Sequence, residues 1–169
     1  MAAMSNDSPA PNGLSPRPLE HLVRPVAPAR LSDRLGEVAD RIVEENGGLP
    51  VVDEDGKLAG FISERDLVAA LFPTYLQEIH HTGFLTRDFD SLVRRAAEAS
   101  QRPVEDYMTR EQEPLHVDDS ESHAAEVFLH HTQRSLPVVD ANDHVCGVVH
   151  MADVVQSLLM ACGQGSGDC

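Results

Sequence analysis

The chain has 169 residues, with 28 Asp and Glu against 13 Lys and Arg, a formal net charge of −15 at pH 7, and 41% hydrophobic residues. That size admits one ordinary domain or two small halves sharing a core, and the apolar fraction is too high for wholesale disorder. The acidity argues against nucleic-acid binding, and the longest apolar runs, such as residues 67–72, fall far short of the roughly 20 residues a membrane span needs.

Residues 1–16 are rich in Ser, Pro, Asn and Ala and read as a flexible tail without a basic-then-apolar signal, which points to a cytoplasmic chain. A first unit follows over 17–72. It opens with a short strand near 23–26 and a helix on which Leu31, Leu35, Val38 and Ile42 keep a helical period, with Ser32 or Asp33 placed to cap it and Gly47-Gly48 to stop it. A β-branched strand at 50–53, the turn Glu54-Asp55-Gly56 and a returning strand at 57–62 come next. Ser63 then stands as the N-cap of a helix over 64–72, which ends before Pro73.

An insert over 73–101 carries Phe89, Leu92, Val93 and Ala96 at helical spacing, with a shorter helix suggested by Leu76, Ile79 and Phe84. It reads as a connector or as a surface for a protein partner. A second unit over 102–162 repeats the order: strand 114–117, helix 120–131, strand 137–140, turn Ala141-Asn142-Asp143, strand 144–149, helix 151–160. Residues 163–169 form a loose tail.

The two units are copies. Leu49-Pro50-Val51-Val52-Asp53 returns 87 residues later as Leu136-Pro137-Val138-Val139-Asp140, and the same offset carries Gly60 onto Gly147 and Asp66 onto Asp153. Over the windows 49–66 and 136–153, seven of 18 positions are identical, where chance gives about one. Upstream, Arg17-Pro18-Leu19-Glu20 echoes Arg102-Pro103-Val104-Glu105 at an offset of 85. The pattern predicts an α+β fold of two β-α-β-β-α repeats related by a pseudo-twofold axis, with a helical insert between them.

Chemistry concentrates where the last strand of each repeat runs into a helix, at Gly60-Phe61-Ile62-Ser63-Glu64-Arg65-Asp66 and Gly147-Val148-Val149-His150-Met151-Ala152-Asp153. Free backbone N–H groups and a positive dipole end favour an anion at such a junction. Ser63 can donate to a phosphate or a ribose oxygen, Asp66 can accept from two neighbouring hydroxyls, and Phe61-Ile62 can wall a flat base. The plainer reading is that Ser63 and Asp66 cap the helix.

These repeated motifs resemble those of a CBS-domain pair, over about residues 18–160. The resemblance implies two related clefts that bind adenosine-containing ligands, with no cofactor required and no enzymatic activity. It assigns ribose-holding roles to Asp66 and Asp153, the hydroxyl position to Ser63, and base contacts to Ile62 and Val149. It adds Asp119 and Ala124 to the Asp66 cleft, Asp33 and Val38 to the Asp153 cleft, and Arg134, with Arg65 beside it, as phosphate-facing cations. His150 departs from the pattern by standing where Ser or Thr is usual, so the clefts are expected to be unequal, with the Asp66 cleft the better site. His150 can hydrogen-bond a phosphate, or it can fill the cleft.

The resemblance further implies a homodimer through the helices that follow Asp66 and Asp153. The expected function is regulatory: an adenine nucleotide (AMP, ADP or ATP), S-adenosylmethionine or an NAD-type molecule bridges the repeats and a partner reads the result. The alternative is a ligand-free interaction or scaffold module of the same fold. Nine histidines include the adjacent pairs His80-His81 and His130-His131, but neighbours on a helix point about 100° apart and make poor chelates, so no metal site is expected. Three cysteines, Cys146, Cys162 and Cys169, without a C-x-x-C pair suggest neither a disulfide framework nor a thiolate zinc site.

Overall fold

A computed structural model describes residues 17–72 and 89–164 of the chain. The first repeat contributes β1 (Ala29–Arg30), α1 (Leu35–Glu45), β2 (Gly48–Val52), β3 (Leu58–Ser63) and α2 (Glu64–Ala70). The insert contributes α3 (Phe89–Ser100). The second repeat contributes β4 (Leu115–His116), α4 (Glu121–His130), β5 (Ser135–Val139), β6 (Val145–His150) and α5 (Met151–Gln164).

Each repeat builds a three-stranded sheet, β1-β2-β3 or β4-β5-β6, whose middle strand pairs parallel on one side and antiparallel on the other. The middle strands, Gly-Leu-Pro-Val-Val and Ser-Leu-Pro-Val-Val, are buried at every position. Proline lacks the N–H a central strand normally needs. It is tolerated here because β1 and β4 are two residues long and pair only with Val51-Val52 and Val138-Val139, leaving Pro50 and Pro137 outside the parallel ladder. The Asp that ends each repeated pentapeptide organises the hairpin. Asp53 Oδ1 accepts from the N–H groups of Asp55 and Lys57, both at 2.9 Å, and Asp140 Oδ1 accepts from those of Asn142 and His144 at 2.8 and 3.0 Å.

Each helix lies on its sheet through the face its periodicity marks. Leu35, Val38 and Ile42 of α1 are buried, and Asn46 ends the helix in the left-handed conformation. In the second repeat Ala124, Val127 and Phe128 of α4 join the core. The expected cap of α1 by Ser32 or Asp33 is not formed. Arg34 holds the cap position, and the Asp33 carboxylate instead accepts from the Arg30 N–H at 2.9 Å, tightening the turn before the helix. Asp119 does the same for the His116 N–H at 2.7 Å, which leaves Ser120 to cap α4. The strand expected near 23–26 reduces to a single bridge between Arg24 and Val148, and the first true strand begins at Ala29. The last helix runs past Met160 to Gln164, into the start of the expected tail. The short helix expected around Leu76, Ile79 and Phe84, and the tail over 1–16, lie outside the described residues.

The lead-in to each repeat packs on the other repeat. Leu19 is wholly buried in the second core, among Leu115, Ala124, Leu136 and Val149, while Val104 and Met108 sit in the first core with Leu35, Val38 and Ile42. The backbone follows the same crossing. Leu19 N–H donates to Asp119 and Glu121 N–H to Arg17, and reciprocally Val104 N–H donates to Asp33 and Leu35 N–H to Arg102. Further along, Arg24 exchanges two backbone bonds with Val148 (2.8 and 2.9 Å), and Thr109 exchanges two with Phe61 (both 2.9 Å). This reciprocity is the pseudo-twofold relation of the halves.

It also explains the repeated glycines. A Cβ at Gly60 would lie 2.7 Å from the Thr109 carbonyl oxygen, and one at Gly147 would lie 2.2 Å from that of Arg24. Only glycine lets the crossing backbone approach so closely.

Candidate functional site

Two clefts flank the seam between the repeats. The first, of about 410 Å³, lies where β3 delivers Ser63 to the start of α2. Its walls come from both halves: Ser63, Glu64, Arg65 and Asp66 from the first, and Thr109, Gln112, His130, His131 and residues 132–134 from the crossing lead-in and the end of α4.

Asp66 divides its carboxylate between two roles. Oδ2 accepts from the backbone N–H of Ser63 at 2.8 Å and from its hydroxyl at 2.7 Å, forming a capping box. Oδ1 meets the Thr109 hydroxyl at 3.5 Å, at the outer limit of a hydrogen bond, and remains able to accept from a ligand. Capping and ligand holding, which the sequence poses as alternatives, are therefore compatible. With seven residues α2 has a weak dipole, so positive charge in this cleft comes from side chains and is set against the carboxylates of Glu64, Asp66 and Glu111. Arg65 lines it, as does Arg134, whose guanidinium pairs with Glu64 across the seam.

The second cleft, of about 450 Å³, is lined by Arg17, His21, Arg24, Asp153, Gln156 and Ser157 together with Leu22, Val23 and Met160. Arg24 occupies the position that Thr109 occupies in the first cleft, and its guanidinium donates to Asp153 Oδ1 at 2.7 Å. The other oxygen of Asp153 is buried without a partner. Behind this cleft the Glu121 side chain, 2% exposed, accepts from the Ser157 hydroxyl and lies 2.9 Å from His21 Nε2, while its second oxygen has no partner.

Of the residues expected in the sites, the structure brings Ser63, Arg65, Asp66 and Arg134 together around the first cleft, and Asp153 lines the second. The others lie elsewhere. Ile62 and Val149 are fully buried strand residues facing the two cores, and Val38 and Ala124 are core residues of α1 and α4. Asp33 and Asp119 spend their carboxylates on backbone N–H groups in turns. His150 lines neither cavity. It stands beside Gly47, where an added Cβ would lie 3.4 Å from its Cε1 and 2.6 Å from Ser135 Oγ.

Burial holds the His150 imidazole below the ordinary histidine range; Arg24 pushes the same way, against Asp153 and Glu45. Its protonated form is thus less available to a phosphate than the ordinary pKa of about 6.5 suggests. Sequence reasoning missed the rest of the lining, among it Thr109, Glu111, Gln112, His130 and His131 in the first cleft and Arg17, His21 and Arg24 in the second. The signal for two of them was present, because the upstream offset of 85, extended, places Arg24 opposite Thr109. Among the described residues no group of three or more His, Cys, Asp or Glu is gathered closely enough to hold a metal ion, and no helix is long and apolar enough to cross a membrane.

Crossed lead-ins, paired three-stranded sheets and a duplicated strand-to-helix junction over twin clefts define a tandem pair of CBS domains. The CBS domain family profile matches residues 20–73 and 104–160, and the chain belongs to that family.

Among individual relatives, it is 30% identical over 177 residues to the chloroplastic CBS domain-containing protein CBSX2 of Arabidopsis thaliana, covering 92% of this chain and 68% of that one. Two further curated relatives are matched over 62% and 59% of their lengths. The crystal structure of CBSX2 in complex with AMP superposes with a TM-score of 0.62 at 24% identity, over 85% of this chain and 97% of that chain. A Methanocaldococcus jannaschii protein described as a candidate archaeal homolog of g-AMPK superposes with a TM-score of 0.65 at 25% identity, over 83% of this chain and 47% of that one.

Proposed function

We propose that this CBS pair is a regulatory module that binds an adenine nucleotide or a related adenosyl ligand in the Asp66 cleft. The observation that carries the reading is an available carboxylate oxygen, Asp66 Oδ1, that shares one cavity of about 410 Å³ with Arg65 and with the Glu64-paired Arg134, a size suited to a nucleotide-scale ligand. Vicinal ribose hydroxyls suit the carboxylate, and phosphates suit the arginines. The AMP bound by CBSX2 and the g-AMPK likeness of the archaeal neighbour support the ligand class.

Because the cleft takes walls from both repeats, a bound ligand favours one mutual arrangement of the halves, and a partner able to tell the arrangements apart reads the ligand. The role is regulatory rather than catalytic, so incubation leaves the ligand unconsumed, as mass analysis of the mixture checks. A homodimer through the helical faces belongs to the same proposal. Val68 on α2 and Val155, Leu159 and Met160 on α5 are exposed there, and sedimentation equilibrium tests it.

The ligand test is a thermal-shift series with AMP, ADP, ATP, S-adenosylmethionine and NAD, followed by calorimetry. A ligand at 100 times its Kd adds about 2.7 kcal/mol of stability, and Asp66→Ala removes that gain. Absence of any shift from a folded chain refutes the reading in favour of a ligand-free scaffold.

A further inference from the structure

Asp66 and Asp153 hold equivalent places in the two repeats, and so do the residues that cross over them, Thr109 and Arg24. Both crossing residues are pinned by a pair of backbone hydrogen bonds, to Phe61 and Val148 respectively, and each passes directly over a glycine. The side chains they present differ in kind. Thr109 offers Asp66 a short neutral hydroxyl at 3.5 Å, whereas Arg24 offers Asp153 a guanidinium at 2.7 Å. A carboxylate engaged in a charge-assisted bond of that length gives up its acceptor to a sugar hydroxyl only when the bond breaks. The remaining oxygen of Asp153 is buried and unpartnered, so it offers no alternative acceptor to a ligand entering from the cleft.

We infer that Arg24 is a built-in occupant of the Asp153 carboxylate, claiming its cleft-facing oxygen although a cavity of about 450 Å³ stays open beside it, and that the chain therefore takes one nucleotide, at Asp66, rather than two. This rests on the reading of the Asp66 cleft as an adenosyl site and adds to it a stoichiometry and the residue that sets it. Arg24 is held by backbone bonds that do not involve its side chain, so replacing it with the residue the first cleft uses, Arg24→Thr, leaves the crossing intact and frees Asp153.

The experiment is isothermal titration calorimetry of the full chain with AMP, with circular dichroism melts to establish that each variant is folded. The wild-type chain is expected to bind one AMP. Arg24→Thr is expected to bind two, the second gaining roughly tenfold to a hundredfold in affinity over the wild-type cleft. Arg24→Gln, which keeps the length of the side chain and removes its charge, gives the same gain if the threonine variant unfolds. Combining Arg24→Thr with Asp66→Ala leaves one AMP, now at Asp153. A wild-type chain that already binds two, or an Arg24→Thr chain that still binds one, overturns the inference and leaves the Asp66 site standing. No AMP on the wild type or on either variant overturns the inference, and overturns the adenosyl reading with it when ADP, ATP, S-adenosylmethionine and NAD also fail to bind.

Discussion

The two crossing residues of this pair occupy one geometric slot and do opposite things in it. In the first repeat the slot holds Thr109, and the carboxylate beneath keeps an oxygen for the cleft; in the second it holds Arg24, and the carboxylate is taken. The same divergence runs deeper into the second half. Leu35 begins α1 and is buried in the first core, whereas its counterpart at the start of α4 is Glu121, equally buried and with one oxygen unpartnered. One repeat sets its cleft over an apolar core. The other keeps a cleft of similar size but spends the equivalent carboxylates on neighbouring side chains, Asp153 on Arg24 and Glu121 on His21 and Ser157. Duplication conserves backbone geometry more strictly than side-chain purpose.

The strongest way to break the comparison is at the glycines. Gly147→Ala drives a Cβ to 2.2 Å from a backbone oxygen of Arg24, against 2.7 Å from that of Thr109 in Gly60→Ala. Neither contact is with a flexible side-chain tip, so the crossing backbone itself must move. Gly147→Ala should cost about 3 kcal/mol and Gly60→Ala somewhat less, and calorimetric melts should show the first as a Tm drop of about 6–12 °C. Equal and negligible losses would mean that the lead-ins are not held where the structure puts them.

A smaller effect distinguishes the cores. Glu121→Leu copies Leu35 into the second repeat. Removing a buried carboxylate with an unsatisfied oxygen should leave stability unchanged or raise it by about 1 kcal/mol, even though His21 and Ser157 lose their acceptor. Urea unfolding measures this, and a clear loss would show that the His21–Glu121 contact is a net anchor of the lead-in.

The smallest effect is pH-dependent. The folded chain keeps His150 neutral to lower pH than the unfolded chain does. Below about pH 6.5 the unfolded state therefore takes up a proton the folded state refuses. The contribution of His150 to stability is complete above that pH and declines as pH falls through it. His150→Gln should flatten this part of the stability–pH curve, as denaturation series between pH 5 and 8 would show, and an unchanged slope would place the effect elsewhere.

The elements of the fold were legible because the chain states them twice. Leu-Pro-Val-Val-Asp marks each middle strand and its turn, and Ser63 and Asp66 mark the start of α2 as the capping box that the structure contains. The site was legible in part for the same reason. The exchange of lead-ins was not. Leu19 and Val104 share a place in the upstream echo, but the echo does not say which half each packs into, and only long-range backbone pairing decides it. Asp33 and Asp119 misled because a carboxylate before a helix can serve a cap, a turn or a ligand, and here the backbone N–H three residues earlier claims both. In the sequence His130 and His131 stand out only as an adjacent pair of metal-ligand type. Their place at the mouth of the first cleft follows from where α4 ends against the other repeat, which no local pattern encodes.

The crossing of the lead-ins also bears on what can be cut from this chain and still stand. A fragment that stops before residue 102 keeps every strand of the first sheet, yet it loses Val104 and Met108 from its interior and leaves Phe61 without its backbone bonds to Thr109. A fragment that starts after residue 24 keeps the whole second repeat and lacks Leu19. Each half is thus an incomplete solid whose missing piece travels with its sibling. Severing the chain between residues 72 and 89 would spare both cores, and two such pieces mixed together should reassemble by trading the segments each was made without.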